Sequence, residues 1–349
     1  MKVGIVTQPL AGNYGGILQN WALQQVLKDL GHEPVTIDVG VKYPFWRYLL
    51  GYGNSLLHNA FGVNRPFPHQ PYKGKSIPQL TGEFISRNIT MTKPVIGYTP
   101  QLIEKYKFEA LVVGSDQVWR PCYNSSIENM FLKFASGCTL RRRISYAASF
   151  GVDTWEFSTG ETACCSELVK KFDAVSVRES SAVRMCKDYL GIQAVHVLDP
   201  TMLLSLDRYI KLSDPIKCEK KSYMAVYCLD LSIPFLEKVK EMAFRLNLAP
   251  KFFSVDSQLS LSVPQWLAMF RDASFVLTDS FHGIVFSVLF NKPFITLRNE
   301  KRGNARIDSL LLSLGLNNNC DDHFDWTKIN DKLFAFREKS LCFLKESLS

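Results

Sequence analysis

The stretch TDSFHG, Thr278 to Gly283, stands between SFVL (274–277) and IVFSVLFNKPFITL (284–297), and its reading decides the fold. Ser274 to Leu277 reads as a short buried strand and Ile284 to Phe290 as a buried helix. Lys292-Pro293 is the break before another strand, Phe294 to Leu297. The polar cluster therefore ends a strand and opens a helix. In open parallel α/β sheets ligands sit at the carboxyl ends of strands, and a helix N-terminus there presents unpaired N–H groups and a partial positive charge. An anion is the expected guest.

Working outward from this point, strand and helix signals alternate along nearly the whole chain, which predicts parallel sheets wrapped by helices. Val3–Thr7 leads through a glycine loop into a helix from about Ile17 to Leu30, a Gly31 stop and a second strand, Val35–Val39. Further strands are read at 110–114, 143–149, 174–178 and 194–198, completing one Rossmann-like half. The irregular charged segment 212–222 reads as a linker, after which the alternation resumes through strands in YMAVYCL and KFFSV and a helix in PQWLAMFRDA. The fold class is α/β and GT-B-like, with two Rossmann-like domains whose parallel sheets face a central cleft, the default site. The domains are read as 1–210, carrying an insertion at about 43–93, and 222–325; a helix at 326–349 has the apolar spacing to pack back across the junction. The insertion is rich in aromatic, basic and proline residues and lacks clear periodicity. Recognition of a sugar by aromatic stacking, peripheral contact with the cytoplasmic membrane face, and a plain capping insertion are all readings of it.

At 349 residues the chain suits two domains, and 46% hydrophobic with 21% charged residues is the balance of a soluble globular protein. The start, MKVGIVTQPL, reads as a strand rather than a signal segment, and no run of 18 apolar residues offers a membrane span. Nine scattered cysteines without a CxxC pair fit a reducing compartment, so the expected location is cytoplasmic. A net charge of +8 fits an anionic substrate, while nucleic acid is disfavoured by the lack of any zinc-finger spacing, RNP-like motif or long basic helix. Six dispersed histidines without HxxxH or HExxH argue against a metal site.

Four constellations carry candidate chemistry. In GNYGGILQNWALQ (12–24), Asn13, Tyr14, Gly15 and Gly16 follow the first strand and bring backbone N–H groups toward a ligand; a tight β–α turn is the bland alternative. The pattern departs from GxGxxG and Asp38 is the only acidic residue near the second strand's end, so a nicotinamide cofactor is not expected. In VVGSDQVWRP (112–121), Ser115 and Asp116 lie at a sheet edge, where Asp116 is a candidate base or merely a helix cap. In VSVRESS (175–181), Arg178 suits a bidentate grip on a carboxylate or phosphate, or an ordinary ion pair. In TDSFHG, His282 is a candidate general acid, Ser280 an anion donor, and Asp279 a base or a partner orienting the imidazole, with Phe281 and Gly283 beside them. Downstream, Arg298, Lys301, Arg302 and Arg306 form a cationic loop; such a run is usually a solvated face, and closeness to the histidine lifts it.

These motifs in this order, together with SYAASFG (145–151) and VLDPTMLL (197–204), resemble the polysaccharide pyruvyl transferase family over the chain from its first strand to about Gly315. The resemblance implies a GT-B-like fold and transfer of a pyruvyl group from phosphoenolpyruvate to sugar hydroxyls, giving a pyruvate ketal on a capsular polysaccharide or exopolysaccharide or its precursor. It implies phosphoenolpyruvate as donor substrate, no separate cofactor, and a saccharide acceptor that is free or lipid-linked. On the family pattern His282 corresponds to the acid and Arg178 to the arginine gripping the donor. Members with Arg-Leu-His carry a second arginine where this chain has Ser280. Either Arg298, Lys301, Arg302 or Arg306 compensates, or the donor pose or the donor itself differs. The rival readings are a nucleotide-sugar glycosyltransferase on the same fold and a non-catalytic relative that binds glycans or a partner.

Overall fold

The structure, a computed structural model, describes residues 1–10, 12–42, 79–216, 222–253, 261–299, 302–316 and 324–349, with 56, 59, 60, 72 and 73. Most of the expected insertion, part of the linker and Lys301 lie outside the described residues. In the first lobe β1 (Lys2–Val6), α1 (Tyr14–Asp29) and β2 (Glu33–Thr36) form one unit. The expected second strand, 35–39, is instead two, because the chain leaves the main sheet after Thr36 and restarts as β3 (Val39–Lys42), which pairs with β4 (Tyr72–Lys73) and β5 (Val95–Ile96). The insertion's end is also more regular than expected. Residues Gln79–Asn88 form α2, burying Thr81, Phe84 and Ile85 at helical spacing, with Phe84 edge-on to Trp21 at 6.4 Å.

After the short helix α3 (Gln101–Tyr106), the strands β6 (Ala110–Val113), β7 (Arg142–Ala148), β8 (Ala174–Val177) and β9 (Val195–His196) complete a parallel sheet of order β2-β1-β6-β7-β8-β9. Helices α4 (Thr159–Val169), α5 (Ser180–Met185) and α6 (Leu206–Ser213) accompany it. The second lobe repeats the plan at smaller scale. Its strands β10 (Tyr223–Tyr227), β11 (Ala249–Phe252), β12 (Phe275–Thr278) and β13 (Phe294–Thr296) are parallel in the order β11-β10-β12-β13, with α7 (Ile233–Leu246) and α8 (Val263–Arg271) between them. The inner strands β6, β10 and β12 are buried, near-continuous apolar runs because parallel sheets are covered on both faces, whereas the edge strand β11 is largely exposed.

Both sheets reverse strand order beside their first strand: between β1 and β6 in one lobe, between β10 and β12 in the other. At such a reversal the connecting helices leave to opposite faces and a crevice opens at the strands' carboxyl ends. The lobes are held together by a continuous core. Tyr14 stacks on Trp266 at 5.4 Å, while Phe286 meets both Tyr209 and Trp266 edge-on at 5.2 Å. Helix α9 (Phe281–Leu289) is buried along its whole length, as expected of an apolar helix enclosed on every side. It begins at Phe281, three residues before the start read from the apolar run, because the Ser280 hydroxyl caps the Gly283 N–H at 3.4 Å. Two further helices, α10 (Ala305–Leu314) and α11 (Trp326–Ser347), close the chain. Helix α11 returns to the first lobe, where the Ser340 hydroxyl accepts from Leu198 N at 3.0 Å and Arg337 Nε donates to Met202 O at 2.7 Å.

Candidate active site

A cavity of about 440 Å³ lies between the two order reversals. The first lobe lines it with Gly12, Asn13, Gly16 and Gln19 from the β1–α1 segment, and with Asp116, Gln117 and Tyr123 beyond β6. The second lobe contributes Leu229 after β10, residues 279–282 after β12, and Arg302, Gly303 and Arg306 around the start of α10. The N-termini of α1, α9 and α10 thus open on one space. Neither α1 nor α9 carries an acidic residue in its first turn; the Asn13 side chain does not cap α1, whereas in α9 the Ser280 hydroxyl takes up the Gly283 N–H.

The floor is a buried ion network. Asp199, which follows β9, is 1% exposed. Its Oδ1 accepts from Thr201 N at 3.0 Å and from Thr201 Oγ1 at 2.7 Å; its Oδ2 accepts from Ser115 Oγ at 2.9 Å and from Arg178 Nη1 at 2.7 Å. The same Oδ2 lies 3.8 Å from His282 Nε2, a buried nitrogen with no hydrogen-bond partner among the described residues. Asp199 therefore joins an arginine of one lobe to the histidine of the other. Burial works to raise its carboxyl, but the adjacent His282, then Arg178 and Thr201, outweigh it and hold the group far below the ordinary carboxylate range. Asp116 behaves alike: burial opposes ionisation, and Arg178, His282 and Arg306 prevail, so it is ionised. Its φ of +78° is a left-handed conformation unusual for a residue with a side chain, and such strain gathers at functional sites.

His282 belongs to the first turn of α9 and packs against the bare Cα of Gly15 on the facing helix, so closely that a Cβ there would lie 2.0 Å from His282 Nδ1. Phe281 beside it is held between two cations, with Arg178 at 4.6 Å and Arg306 at 5.7 Å from its ring centre. Arg306 is only 7% exposed. One of its Nη atoms donates to Arg302 O at 3.0 Å, whereas Nε has no partner among the described residues. Burial, then the neighbouring Arg178, lower its pKa to about 10, which leaves it charged at neutral pH.

The residues singled out from the sequence meet unevenly. His282, Asp279, Ser280, Phe281, Asp116, Asn13, Gly16, Arg302 and Arg306 line the cavity, with Gly15 against the imidazole and Gly283 packed on Thr278. Arg178 and Ser115 lie beneath the floor, already engaged with Asp199, rather than in the lining. The carboxylate beside the imidazole is Asp199 and not Asp279. Asp279 instead accepts from Leu229 N at 2.7 Å, Asp230 N at 3.1 Å and Asn299 Nδ2 at 3.0 Å, fastening the loop after β10. Tyr14 turns away to Trp266 and donates to Leu261 O at 2.7 Å. Arg298 is exposed and pairs with Asp308 at 3.0 Å. Arg302 binds Asp230 at 2.8 Å from the cavity's edge. Asp199, Gln19 and Glu179 were not anticipated. Glu179 is fully buried, its carboxyl raised by burial against the pull of Arg178, and it accepts from Ser149 Oγ, Phe150 N and Gly151 N. Among the described residues no cluster of three or more His, Cys, Asp or Glu is arranged to hold a metal, and no helix is long and apolar enough to cross a membrane.

Two Rossmann-like lobes enclosing a cationic, helix-terminated cleft define a GT-B-like α/β protein. Solved structures of similar fold include a UDP complex and a UDP-GlcNAc complex. S. aureus MnaA, solved with UDP, superposes with a TM-score of 0.51 at 14% identity over 99% of this chain and 91% of that one. The UDP-GlcNAc 2-epimerase from Neisseria meningitidis bound to UDP-GlcNAc gives 0.49 at 12% identity, covering 99% of this chain and 94% of that one. No curated protein matches the sequence. The family model for polysaccharide pyruvyl transferases matches residues 13–301, and the chain belongs to that family, one of transferases in polysaccharide biosynthesis.

Proposed function

We propose that the cavity transfers a pyruvyl group from phosphoenolpyruvate to two hydroxyls of a saccharide, in the cytoplasm, forming a cyclic ketal and releasing phosphate. The observation that carries this reading, within the family, is the convergence on one cavity of His282, Arg306 with its unpartnered Nε, and three helix N-termini beside an ionised Asp116. Phosphoenolpyruvate carries a carboxylate and a phosphate, groups that helix N-termini and guanidinium donors receive well. Ser280 removes one cation from the family's motif, and Arg306, held on the Phe281 ring, is the guanidinium that compensates.

In this reading His282 gives a proton to the methylene carbon, which becomes the methyl group, and positive character develops at the adjacent carbon. A sugar hydroxyl adds there, with its departing proton replacing the one His282 gave. The second hydroxyl attacks the same carbon, the carbon–oxygen bond to phosphate breaks, and that hydroxyl's proton leaves with the phosphate. Asp116 is held ionised by its cations and so works as a hydrogen-bond acceptor that orients the attacking hydroxyl. Asp199 fixes the imidazole from behind.

The test is phosphate release from phosphoenolpyruvate by the purified protein, with a panel of nucleotide-linked and lipid-linked sugars and detection of the ketal by mass. His282→Ala is expected to abolish turnover while leaving the melting temperature within a few degrees. Stabilisation by UDP or GDP but not by phosphoenolpyruvate would favour a glycosyltransferase instead, and ligand binding without turnover, indifferent to His282, a non-catalytic relative.

A further inference from the structure

Gln19 is a polar side chain on the cavity wall that the reaction scheme leaves unused. It lies in α1, is 1% exposed and lines the cavity. Its amide is oriented by two contacts: Nε2 donates to Gly16 O at 3.1 Å and to Thr7 Oγ1 at 3.4 Å. The flipped amide would set its oxygen against the Gly16 carbonyl, so Oε1 is the atom left over. That oxygen is enclosed and has no hydrogen-bond partner among the described residues. An enclosed acceptor without a donor is a net cost to the fold, and such atoms in native proteins call for a ligand or water.

The chemistry of the two substrates decides which of them supplies the donor. Ionised phosphoenolpyruvate has only acceptor oxygens, so it has nothing to give to an amide oxygen. A sugar hydroxyl does. Both kinds of group occur among the cavity's polar residues. Donors, namely Arg306 and the first turns of α1 and α9, suit the anion. Acceptors, namely Gln19 Oε1 and the Asp116 carboxylate, suit hydroxyls. These two acceptors stand on the same wall: Gln19 holds the Gly16 carbonyl, a Cβ on Gly16 would lie 3.7 Å from Asp116 Oδ2, and Thr7, which Gln19 contacts, donates to Ser115 O at 3.3 Å.

We infer that Gln19 Oε1 and the Asp116 carboxylate form the acceptor subsite and receive two hydroxyls of a pyranose diol, making Gln19 a determinant of which saccharide is accepted. The inference rests on the proposed reaction, and its test separates the two. Methyl pyranosides of galactose, glucose and mannose, with each monodeoxy form of whichever binds, are titrated against the wild type, Gln19→Met and Gln19→Glu. Phosphoenolpyruvate is titrated in parallel. Wild type is expected to bind at least one pyranoside saturably, and one deoxy form about tenfold more weakly. In Gln19→Met the parent sugar falls to the level of that deoxy form, whose own affinity does not change, and phosphoenolpyruvate binds as in wild type. Gln19→Glu, which keeps an acceptor oxygen, retains the parent's advantage over the deoxy form. The subsite is overturned if no pyranoside binds the wild type, or if the deoxy penalty survives in a folded Gln19→Met. Should Gln19→Met fail to fold, equal binding of the parent and every monodeoxy form by the wild type overturns it. Loss of phosphoenolpyruvate binding by the wild type speaks instead against the reaction.

Discussion

Gly15→Ala isolates the contact on which the histidine's position depends. The new Cβ would stand 2.0 Å from His282 Nδ1, 2.4 Å from Cγ and 2.7 Å from Cε1. Non-bonded contact distance is about 3.5 Å, so the imidazole has to move by about 1.5 Å. The ring is 6% exposed, with Phe281 edge-on at 5.2 Å, and it has no free space to yield at no cost. Misplacement of about 1 Å costs reacting groups roughly 100-fold in rate, so kcat for phosphate release is expected to fall by about that factor. Stability should change little. Overpacking costs about 1–3 kcal/mol, against which alanine gains up to about 1 kcal/mol over glycine in a helix. Steady-state phosphate release gives the rate, and thermal melts give the coupling: Gly15→Ala is expected to lower Tm in the wild-type background and to be neutral or stabilising beside His282→Ala, where the space is free. Wild-type turnover in Gly15→Ala, or an equal loss of Tm in both backgrounds, would refute the reasoning.

Two further outcomes follow from the ion network and its surroundings. Arg306→Leu is expected to raise KM for phosphoenolpyruvate by about 10–100-fold, the weight of a charge-assisted hydrogen bond, with pyranoside binding intact; Arg306→Lys should rescue little, because an ammonium lacks the planar face that lies on Phe281. His196, beneath α10 with Nε2 3.1 Å from Arg178 O and 3.2 Å from Ser309 Oγ, has its pKa lowered from 6.5 to about 4, chiefly by burial. Between those values the unfolded chain binds the proton and the folded one does not, so stability is full above about pH 6.5 and falls by about 3 kcal/mol as the pH drops to about 4. Urea melts at pH 7 and pH 4.5 on wild type and His196→Gln measure it, and an identical acid slope in the variant would remove His196 as its source.

What the sequence disclosed, and what it withheld, follow from where the information is local. The strands are legible because a parallel strand covered on both faces must be apolar throughout, as in Ala110–Val113 and Phe275–Thr278. Strand order is set by crossovers, and the reversals beside β1 and β10 that create the cleft leave no local mark. The role of Asp199 is hidden for a different reason. Asp-Pro-Thr at the end of a strand is a capping sequence, and Oδ1 does cap Thr201; the ion pair uses the other oxygen, which spacing does not reveal.

Arg306 and Gln19 share a signal that was present. Arg306 lies on the inward stripe of α10 with Ile307, Leu310, Leu311 and Leu314, and Gln19 among the buried Leu18, Ala22 and Leu23 of α1. A charged or amide side chain on the apolar period of a helix has to be satisfied by something, because burial removes it from water. For Gln24, five residues beyond Gln19 on α1, that something is protein: its amide donates to Thr36 Oγ1 and Thr90 O and accepts from Thr90 N, which closes its account structurally. Gln19 keeps one oxygen and Arg306 one nitrogen unpartnered. The difference between Gln24 and Gln19 is invisible in the one-letter code. In the fold it separates a side chain whose amide is fully satisfied by the lobe from one with an atom to spare, and on the proposed reading the leftover atoms sort by substrate, a nitrogen donor for the anion and an oxygen acceptor for the hydroxyl.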